Sequence, residues 1–392
     1  MTIEWEPSTA LRDVAVGRAD TTGPYRELLG KCPVAHFRAD EGFELWGIFG
    51  HAEVAAAALD TKTFSSVTVP PGSPRILPLM ADPPEQTAYR RLLNQFFFPP
   101  RIAAVEPAAR ATAVEIIDGM VAAGTADFAT TYAYPFSTRV LCHFLEVEDD
   151  WEIYNDWSSE MERVTKAGMA KPGTPLPADT FQKVMPYLEK LIADKRRQSG
   201  DDVVSGIIKG EIKGQALDDQ AVIGLLIALI LAGRSTTASG LGNLVLRLGR
   251  DPELQQFLRA NPERIRDAVE ESLRIDAPQQ EQPRVCTRDV EIGGQLIRSG
   301  DRVFLNFGSA NVDPRHWDDP ASFDIDRPDK KHFGFGKGVH QCFGAPLARM
   351  EMRVTVEELL ARTRSFTVTG QVDRLTWPRL SVEHLPLTIT PA

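Results

Sequence analysis

The chain has 392 residues, of which 43% are hydrophobic and 25% are charged, and its formal net charge is −10. These proportions are ordinary for a globular protein, and the negative charge argues against general affinity for nucleic acid. The N-terminal segment has neither the basic nor the apolar region of a signal peptide, and the four cysteines are widely separated, so we expect a cytoplasmic protein without a disulfide framework.

Helical periodicity dominates the chain, because apolar residues recur at three-and-four spacing between Asp, Pro and Gly residues. The predicted helices are residues 101–124, 181–199, 218–248, 252–261, 263–275 and 346–363. The predicted strands are residues 43–48, 290–297, 302–307 and 385–389. No internal repeat or long linker divides the chain. We therefore predict a single domain over residues 1–392 that is mainly α with small β-sheets.

The longest apolar run, residues 221–233, ends at Arg234. It is shorter than the ~20 residues of a membrane-spanning helix, so we predict a buried core helix and no membrane partner. Ala232 and Gly233 precede Ser235 and Thr236. Glycine costs about 1 kcal/mol in a helix interior, which suggests that a bulky group approaches the backbone here. Without other evidence, a structural role for Thr236, in which its hydroxyl donates a hydrogen bond to the carbonyl four residues earlier, is at least as good an explanation as a functional role.

Cys342 lies in a glycine-rich loop at the entrance of the last predicted helix. The free N–H groups and the positive end of such a helix favour a thiolate. A lone cysteine is more often a small buried hydrophobe. No second cysteine or suitably spaced histidine is nearby to complete a zinc site. A cofactor with its own in-plane metal ligands fits better, and haem is such a cofactor.

The loop pattern F-G-x-G-x-H-x-C-x-G resembles the haem-binding signature of the cytochrome P450 family. It contains Phe335, Gly336, His340, Cys342 and Gly344. The resemblance covers nearly the whole chain and implies a soluble bacterial-type P450, with a triangular helical prism around haem b. It implies that Cys342 is the axial iron ligand, which favours O–O cleavage by donating electron density.

An E-x-x-R pair precedes this loop. Glu271 and Arg274 lie on one face of a predicted helix, and an isolated pair of this kind is usually a solvated ion pair that contributes a few tenths of a kcal/mol. Arg327 follows in residues 323–328. Together the three resemble the buried triad of P450s, which implies a structural role beneath the haem loop.

The resemblance places residues 232–237 across the distal face of the haem. It implies that Thr236 takes part in oxygen activation and that Ser235 lines the proton path with it. The family has an acid where this chain has Ser235, and a serine hydroxyl relays protons through water without supplying a charge. Three explanations stay open: a serine and water relay with modest turnover, a chemistry that needs less proton delivery, or a tolerated substitution.

Buried haem propionates require positively charged or hydrogen-bonding partners. The resemblance implies His340, Arg284 and Arg90 as candidates. Arg90 ends a stretch, residues 82–90, that is similar to the family pattern D-P-P-E-H-T-x-x-R, except that Gln86 replaces its histidine. We expect one propionate contact to be weaker or mediated by this amide.

Residues expected to face the substrate also follow from the resemblance, and most are apolar. They are Ala228, Leu231, Ala232, Val67, Leu77, Leu380, Gln279 and Gln280. The two glutamines indicate either a substrate with hydrogen-bonding groups or side chains that point to solvent or to a propionate.

The implied activity is insertion of one oxygen atom from O2 into a small, mostly apolar organic substrate by a monomeric enzyme. The chain has no flavin or iron–sulfur segment after Cys342, so we expect electrons from a ferredoxin and its NAD(P)H-dependent reductase. Basic residues in segments that the family places around the proximal face predict a docking patch. They are Arg90, Arg91, Lys337, Arg349 and Arg353. A peroxide-driven haem–thiolate enzyme and a non-catalytic haem–thiolate sensor remain as alternatives.

Overall fold

The computed structural model of the protein is 54% helical, with small sheets. It describes residues 2–3, 22–38, 44–70, 75–147, 150–170, 181–375 and 379–392. The α-helices are α1 (Gly23–Lys31), α2 (His51–Leu59), α3 (Glu85–Asn94), α4 (Pro99–Ala123), α5 (Tyr134–Leu145), α6 (Trp151–Ala170), α7 (Met185–Arg197), α8 (Val203–Ile208), α9 (Asp219–Arg250), α10 (Pro252–Ala260), α11 (Ile265–Ile275), α12 (Phe307–Ala310) and α13 (Ala345–Arg362). A π-helical turn, Ala129–Ala133, precedes α5, and 3-10 turns occupy Pro262–Arg264 and Gly338–His340.

The strands are short and form separate small sheets. They are β1 (Thr2–Ile3), β2 (Val34–Arg38), β3 (Glu44–Ile48), β4 (Phe64–Ser65), β5 (Thr125–Asp127), β6 (Glu211–Ile212), β7 (Gln215–Ala216), β8 (Glu281–Cys286), β9 (Val290–Ile292), β10 (Gln295–Ile297), β11 (Arg302–Asn306), β12 (Thr363–Val368), β13 (Asp373–Leu375), β14 (Ser381–His384) and β15 (Pro386–Pro391). The largest described sheet has the order β1-β2-β3-β11-β8-β4, with β8 antiparallel to both β11 and β4. This sheet places Arg284 of β8 close to the segment that follows β4.

The predicted helices agree with the observed ones, and the largest difference is the start of α7, predicted at residue 181 and observed at Met185. The strand predicted over residues 290–297 is instead a hairpin of β9 and β10. Gly293 and Gly294 have φ values of 55° and 73°, so they form the turn between the two strands. The first residue of the strand predicted at 43–48 lies outside the described residues.

The long helix α9 is the central element of the core and contacts α5, α6, α11 and α13. By length and composition alone it could cross a membrane, but half of its most apolar window is buried within the protein. Its packing identifies it as a core helix, as the sequence predicts. At Gly240, an added Cβ would lie 3.4 Å from Met352 Sδ of α13, so the two helices approach closely there.

Candidate active site

The loop before α13 is shaped by glycines that no other residue replaces without strain. Gly336 and Gly338 have φ values of 71° and 74°, and a Cβ on Gly338 would lie 2.6 Å from the Ala58 carbonyl oxygen of α2. The Cys342 N–H donates to the Phe335 carbonyl at 2.8 Å, which closes the loop. Gly344 is the N-cap of α13. Cys342 is therefore held just before the start of a helix.

The Cys342 thiol is solvent-accessible but is otherwise surrounded by protein atoms, as at the floor of a cleft. This burial raises the pKa of the thiol, while the backbone N–H groups of Gly344 and Ala345 and the charges of Arg90 and Arg349 lower it. Burial dominates, so the free thiol is favoured until a cation pairs with the sulfur. The N–H groups at the helix start are the donors that the sequence predicts for a thiolate.

A second ion-pair network lies behind this loop. Arg349 of α13 donates to both carboxylate oxygens of Glu270 at 2.6 and 2.8 Å. His332 accepts from the Gly334 N–H through Nδ1 at 3.0 Å, so its Nε2 carries the proton and donates to Glu270 at 3.2 Å. Burial alone would raise the pKa of Glu270, but Arg349 and His332 lower it to about 2.

The path of the loop is also fixed by a close approach at Gly334 and by the stacking of Arg349. A Cβ on Gly334 would clash with the carbonyl oxygen of Leu273 in α11. The loop therefore passes directly over α11, and Arg349 stacks on Phe335 with its Cζ 4.5 Å from the ring centroid. Sequence reasoning missed this network, and the acidic residue directly before Glu271 was the available signal.

The E-x-x-R residues and Arg327 come together in the protein interior. Arg274 donates to Glu271 from Nε at 2.9 Å and from Nη2 at 2.7 Å. Arg327 Nε donates to the same carboxylate at 3.2 Å. Glu271 and Arg274 are each 1% exposed, so they are not the solvated pair of an isolated motif. Arg274 also donates to the carbonyls of Asn311, Pro320 and Ser322 and thereby fixes the segment before Arg327.

Arg284 is a buried cation that is 5% exposed. Among the described residues its guanidinium forms no ion pair, and its one hydrogen bond is from Nη1 to the Pro283 carbonyl at 2.7 Å. Burial lowers its pKa to about 10, although the charge of Asp82 raises it. It therefore stays protonated at neutral pH. A buried cation without a carboxylate partner fits an anionic group of a ligand.

His340 and Arg90 lie close to this cation. His340 Nε2 is 2.9 Å from Ser66 Oγ. Burial, together with the charges of Arg284 and Arg90, lowers the pKa of His340 to about 4, so it is neutral at pH 7. Arg90 donates to the Val339 carbonyl at 3.2 Å and stacks on Phe343, the residue after the cysteine.

These groups fit haem. In the described ranges, no cluster of three or more His, Cys, Asp or Glu side chains could hold a metal ion. Cys342 therefore supplies a single sulfur, and Arg284, Arg90 and His340 supply two cations and a neutral hydrogen-bonding ring near it. Two carboxylates match that set. Gln86 is buried and donates from Nε2 to the Val339 carbonyl at 2.6 Å, so it supports the residue next to His340.

On α9, the Thr236 hydroxyl donates to the Ala232 carbonyl at 2.6 Å, which is the hydrogen bond that the sequence left as an alternative. Its oxygen lone pairs remain available as acceptors. Ser235 Oγ is 3.5 Å from the Leu231 carbonyl, at the limit of a hydrogen bond. Ala232 is exposed, whereas a Cβ on Gly233 would lie 3.2 Å from Leu141 of α5. The small size of Gly233 is therefore explained by helix packing, whereas the exposed Ala232 leaves the approach of a bulky group to this part of α9 a prediction.

The remaining residues expected to face a substrate differ in their surroundings. Ala228, Leu231, Val67 and Leu77 are partly buried, and Leu380 is buried, with its N–H bonded to the Pro278 carbonyl at 2.8 Å. Gln279 is partly buried and forms an isolated antiparallel bridge with Arg379.

The side chain of Gln280 faces α1 and not the expected substrate side, which corrects the prediction that it faces the substrate. Its Oε1 accepts from the Tyr25 hydroxyl of α1 at 2.5 Å, and its Nε2 donates to the Ala277 carbonyl at 2.6 Å. Adjacent residues of an extended segment point to opposite sides, so Gln279 and Gln280 do not share one surface.

Some of the cations expected on the proximal face form ion pairs with carboxylates of the chain. Arg349 is paired with Glu270, and Arg353 is paired with Glu106 and Glu357. Arg91 is exposed, and Lys337 Nζ lies 5.0 Å from the Phe333 ring centroid. The neutralised arginines contribute less to a positive field than the sequence suggests.

Known proteins resemble this chain in both sequence and structure. The Cytochrome P450 family model matches residues 177–382. The mycinamicin IV hydroxylase/epoxidase of Micromonospora griseorubida is 32% identical, with 94% of each chain covered. The erythromycin C-12 hydroxylase of Saccharopolyspora erythraea is 34% identical, with 96% of each covered. The crystal structure of CYP108D1 from Novosphingobium aromaticivorans superposes with a TM-score of 0.85 at 28% identity, over 100% of each chain.

The family model covers more than half of the chain, and the relatives are aligned over nearly their full length. The fold and the residues around Cys342 agree with that match. The relatives are named as hydroxylases or epoxidases, which are oxidoreductases. The chain therefore belongs to the cytochrome P450 family of haem monooxygenases.

Proposed function

We propose that the protein is a ferredoxin-dependent monooxygenase that inserts one oxygen atom from O2 into a small, mostly apolar organic substrate. The observation that supports it best is Cys342, which stands beside backbone N–H donors at the start of α13. A buried cation, Arg284, lies nearby and has no carboxylate partner among the residues that the structure describes. Haem b, when bound, supplies the iron chemistry that activates O2. We further propose a monomeric cytoplasmic enzyme.

The chain's own residues have separable tasks in this proposal. Cys342 Sγ binds the iron, and the N–H groups of Gly344 and Ala345 stabilise its negative charge. Arg284 and Arg90, with neutral His340, hold the propionates. The partly buried apolar residues Ala228, Leu231 and Leu77 surround the substrate, and Gln279 offers it a hydrogen-bonding group.

Proton handling falls to the two hydroxyls of α9. Thr236 uses its proton on the Ala232 carbonyl, so Oγ1 accepts a hydrogen bond from a water or a protonated group beside it. Ser235 is held only weakly by the Leu231 carbonyl, so its hydroxyl is free to exchange a proton with water. Together they form an acceptor and a relay without a fixed charge.

The test is the absorbance of the reduced carbon monoxide complex, which reports thiolate ligation. We expect the thiolate-specific band in the wild type and its loss in Cys342→Ser. Cys32→Ser is the matched control, because the Cys32 thiol only donates to the Val34 carbonyl at 2.7 Å and should leave the band unchanged. A histidine-type spectrum in the wild type would reject the assignment.

A peroxide-driven haem–thiolate enzyme is the second candidate, and Ser235 favours it, because the position has no carboxylate to support proton delivery. Product yields with hydrogen peroxide and with a reconstituted ferredoxin and reductase system separate the two. Efficient turnover with peroxide alone would support the second candidate. For the substrate, a spectral binding screen should cover small apolar compounds and, as a separate class, mycinamicin IV and erythromycin, which two relatives carry in their names.

A further inference from the structure

Arg234 is a buried cation in the middle of the apolar helix α9, and it is 2% exposed. Its guanidinium points to α6, where Nη2 donates to Ser159 Oγ at 2.7 Å and to Asn155 Oδ1 at 3.1 Å. Nη1 lies 3.3 Å from Glu162 Oε2. Residues 155, 159 and 162 follow the helical spacing i, i+4, i+7, so they form one stripe of α6 that faces Arg234.

Glu162 also binds a second cation. Its Oε1 accepts from Arg379, which lies in the C-terminal segment and forms the antiparallel bridge with Gln279. One carboxylate therefore joins α6, α9 and the C-terminal segment. We call Arg234, Glu162 and Arg379 the Glu162 clamp.

The clamp is shielded from solvent, since the three side chains are 3%, 12% and 15% exposed. Burial lowers the pKa of Arg234 to about 10, so the guanidinium remains protonated at neutral pH. The ring of Tyr134 lies 4.6 Å from its Cζ. Removing the carboxylate would leave two buried guanidinium groups with one anion fewer, which is strongly unfavourable in the closed arrangement.

The position of the clamp relates it to the reaction. Arg234 directly precedes Ser235 and Thr236, and Arg379 is paired with Gln279 on the substrate side. Leu231, one helical turn before Arg234, lies on the same flank of α9, so separation of α6 from α9 at this point would open the region next to Leu231. We propose that Glu162 is a positioning residue that holds α6 closed over the distal side and thereby limits the rate at which ligands reach the iron. This inference rests on the proposed haem site for its effect on ligands, but not for its effect on α6.

The first experiment measures ligand entry in the holoenzyme. The probe is 4-phenylimidazole, whose ring nitrogen coordinates haem iron, and its association and dissociation rates are followed by stopped-flow absorbance. We expect both rates to rise about tenfold in Glu162→Gln, because a hydrogen bond to a charged group is worth at least about a factor of ten in an equilibrium. Glu152→Gln is the control, since Glu152 is an exposed residue of the same helix.

Arg379→Gln tests the clamp from its other end while leaving the contact between Arg234 and Glu162 in place. We expect a smaller increase in both rates, and a double variant with Glu162→Gln that is no faster than Glu162→Gln alone, because both changes remove the same contact. Additive effects in the double variant would contradict the clamp.

The second readout does not need a ligand. Hydrogen exchange of the α6 amides should become faster in Glu162→Gln and stay unchanged in Glu152→Gln. Unchanged exchange together with unchanged 4-phenylimidazole rates would overturn the inference. If the purified wild type supplied with haem shows no haem absorbance, the proposed haem site fails, and the exchange measurement still decides whether Glu162 holds α6 closed.

Discussion

Glu270 offers a quantitative test of the network behind the cysteine loop. Its carboxylate binds Arg349 at 2.6 and 2.8 Å and accepts from His332 at 3.2 Å. Glu270→Gln keeps the size of the side chain but removes the charge. The variant should therefore be less stable, because Arg349 loses its anion.

The size and the pH dependence of this loss follow from the pKa of Glu270, which is about 2 in the folded protein against an ordinary 4.5. The difference corresponds to about 3 kcal/mol of folding free energy. The folded-state pKa is the lower one, so this stabilisation is complete above pH 4.5 and is lost as the pH falls toward 2. Between pH 7 and pH 3.5 it should decrease by about 1.4 kcal/mol.

The assay is urea unfolding of the holoenzyme at several pH values, followed by far-ultraviolet circular dichroism. We expect Glu270→Gln to be less stable than the wild type by about 2 to 3 kcal/mol at pH 7 and by about half of that at pH 3.5. Glu263→Gln is the control, because Glu263 is exposed and surface changes usually stay within about 0.5 kcal/mol. A difference that does not change with pH would refute the role of the Glu270 charge.

Other expectations concern the distal helix and the partner face. If proton delivery limits turnover, Ser235→Asp should raise the product formed per NAD(P)H consumed, since a well-placed acid contributes roughly 10²–10⁴-fold; an unchanged or lower yield would show that Ser235 suits this chemistry. Thr236→Ala should raise the peroxide released per NAD(P)H, measured with a peroxidase-coupled dye, because an acceptor hydroxyl is lost; unchanged coupling would contradict that role. Arg91→Glu with Lys337→Glu should slow reduction by a ferredoxin, most strongly at low salt. Lys190→Glu, at an exposed position of α7, should not, and salt-independent kinetics in the wild type would exclude electrostatic docking.

Sequence patterns predicted the elements that depend on local spacing. The glycines around Cys342 are required by positive φ values and by a close approach to Ala58, so their pattern is directly visible in the chain. The pair Glu271 and Arg274 is likewise local, one helical turn apart. The resemblance added Arg327, which no spacing rule connects to the pair.

Features that depend on contacts between distant segments were not predictable. Glu270 meets His332 and Arg349 across 62 and 79 residues, and its position beside Glu271 does not show which residues are its partners. Gln280 was assigned to the substrate side because the sequence does not show which residues of an extended segment face α1. The hydrogen bond from the Tyr25 hydroxyl to Gln280 shows that this side chain faces α1.

The same limit applies to the position where this chain departs from its family. A serine at 235 suggests a missing charge, yet the structure has an ion cluster one residue earlier, at Arg234 and Glu162. That carboxylate does not replace the missing acid, because guanidinium groups occupy both of its oxygens. A carboxylate held by two cations is a poor proton acceptor at neutral pH. In the proposed function, Glu162 therefore does not supply the proton, and the hydroxyls of Ser235 and Thr236 relay it through water.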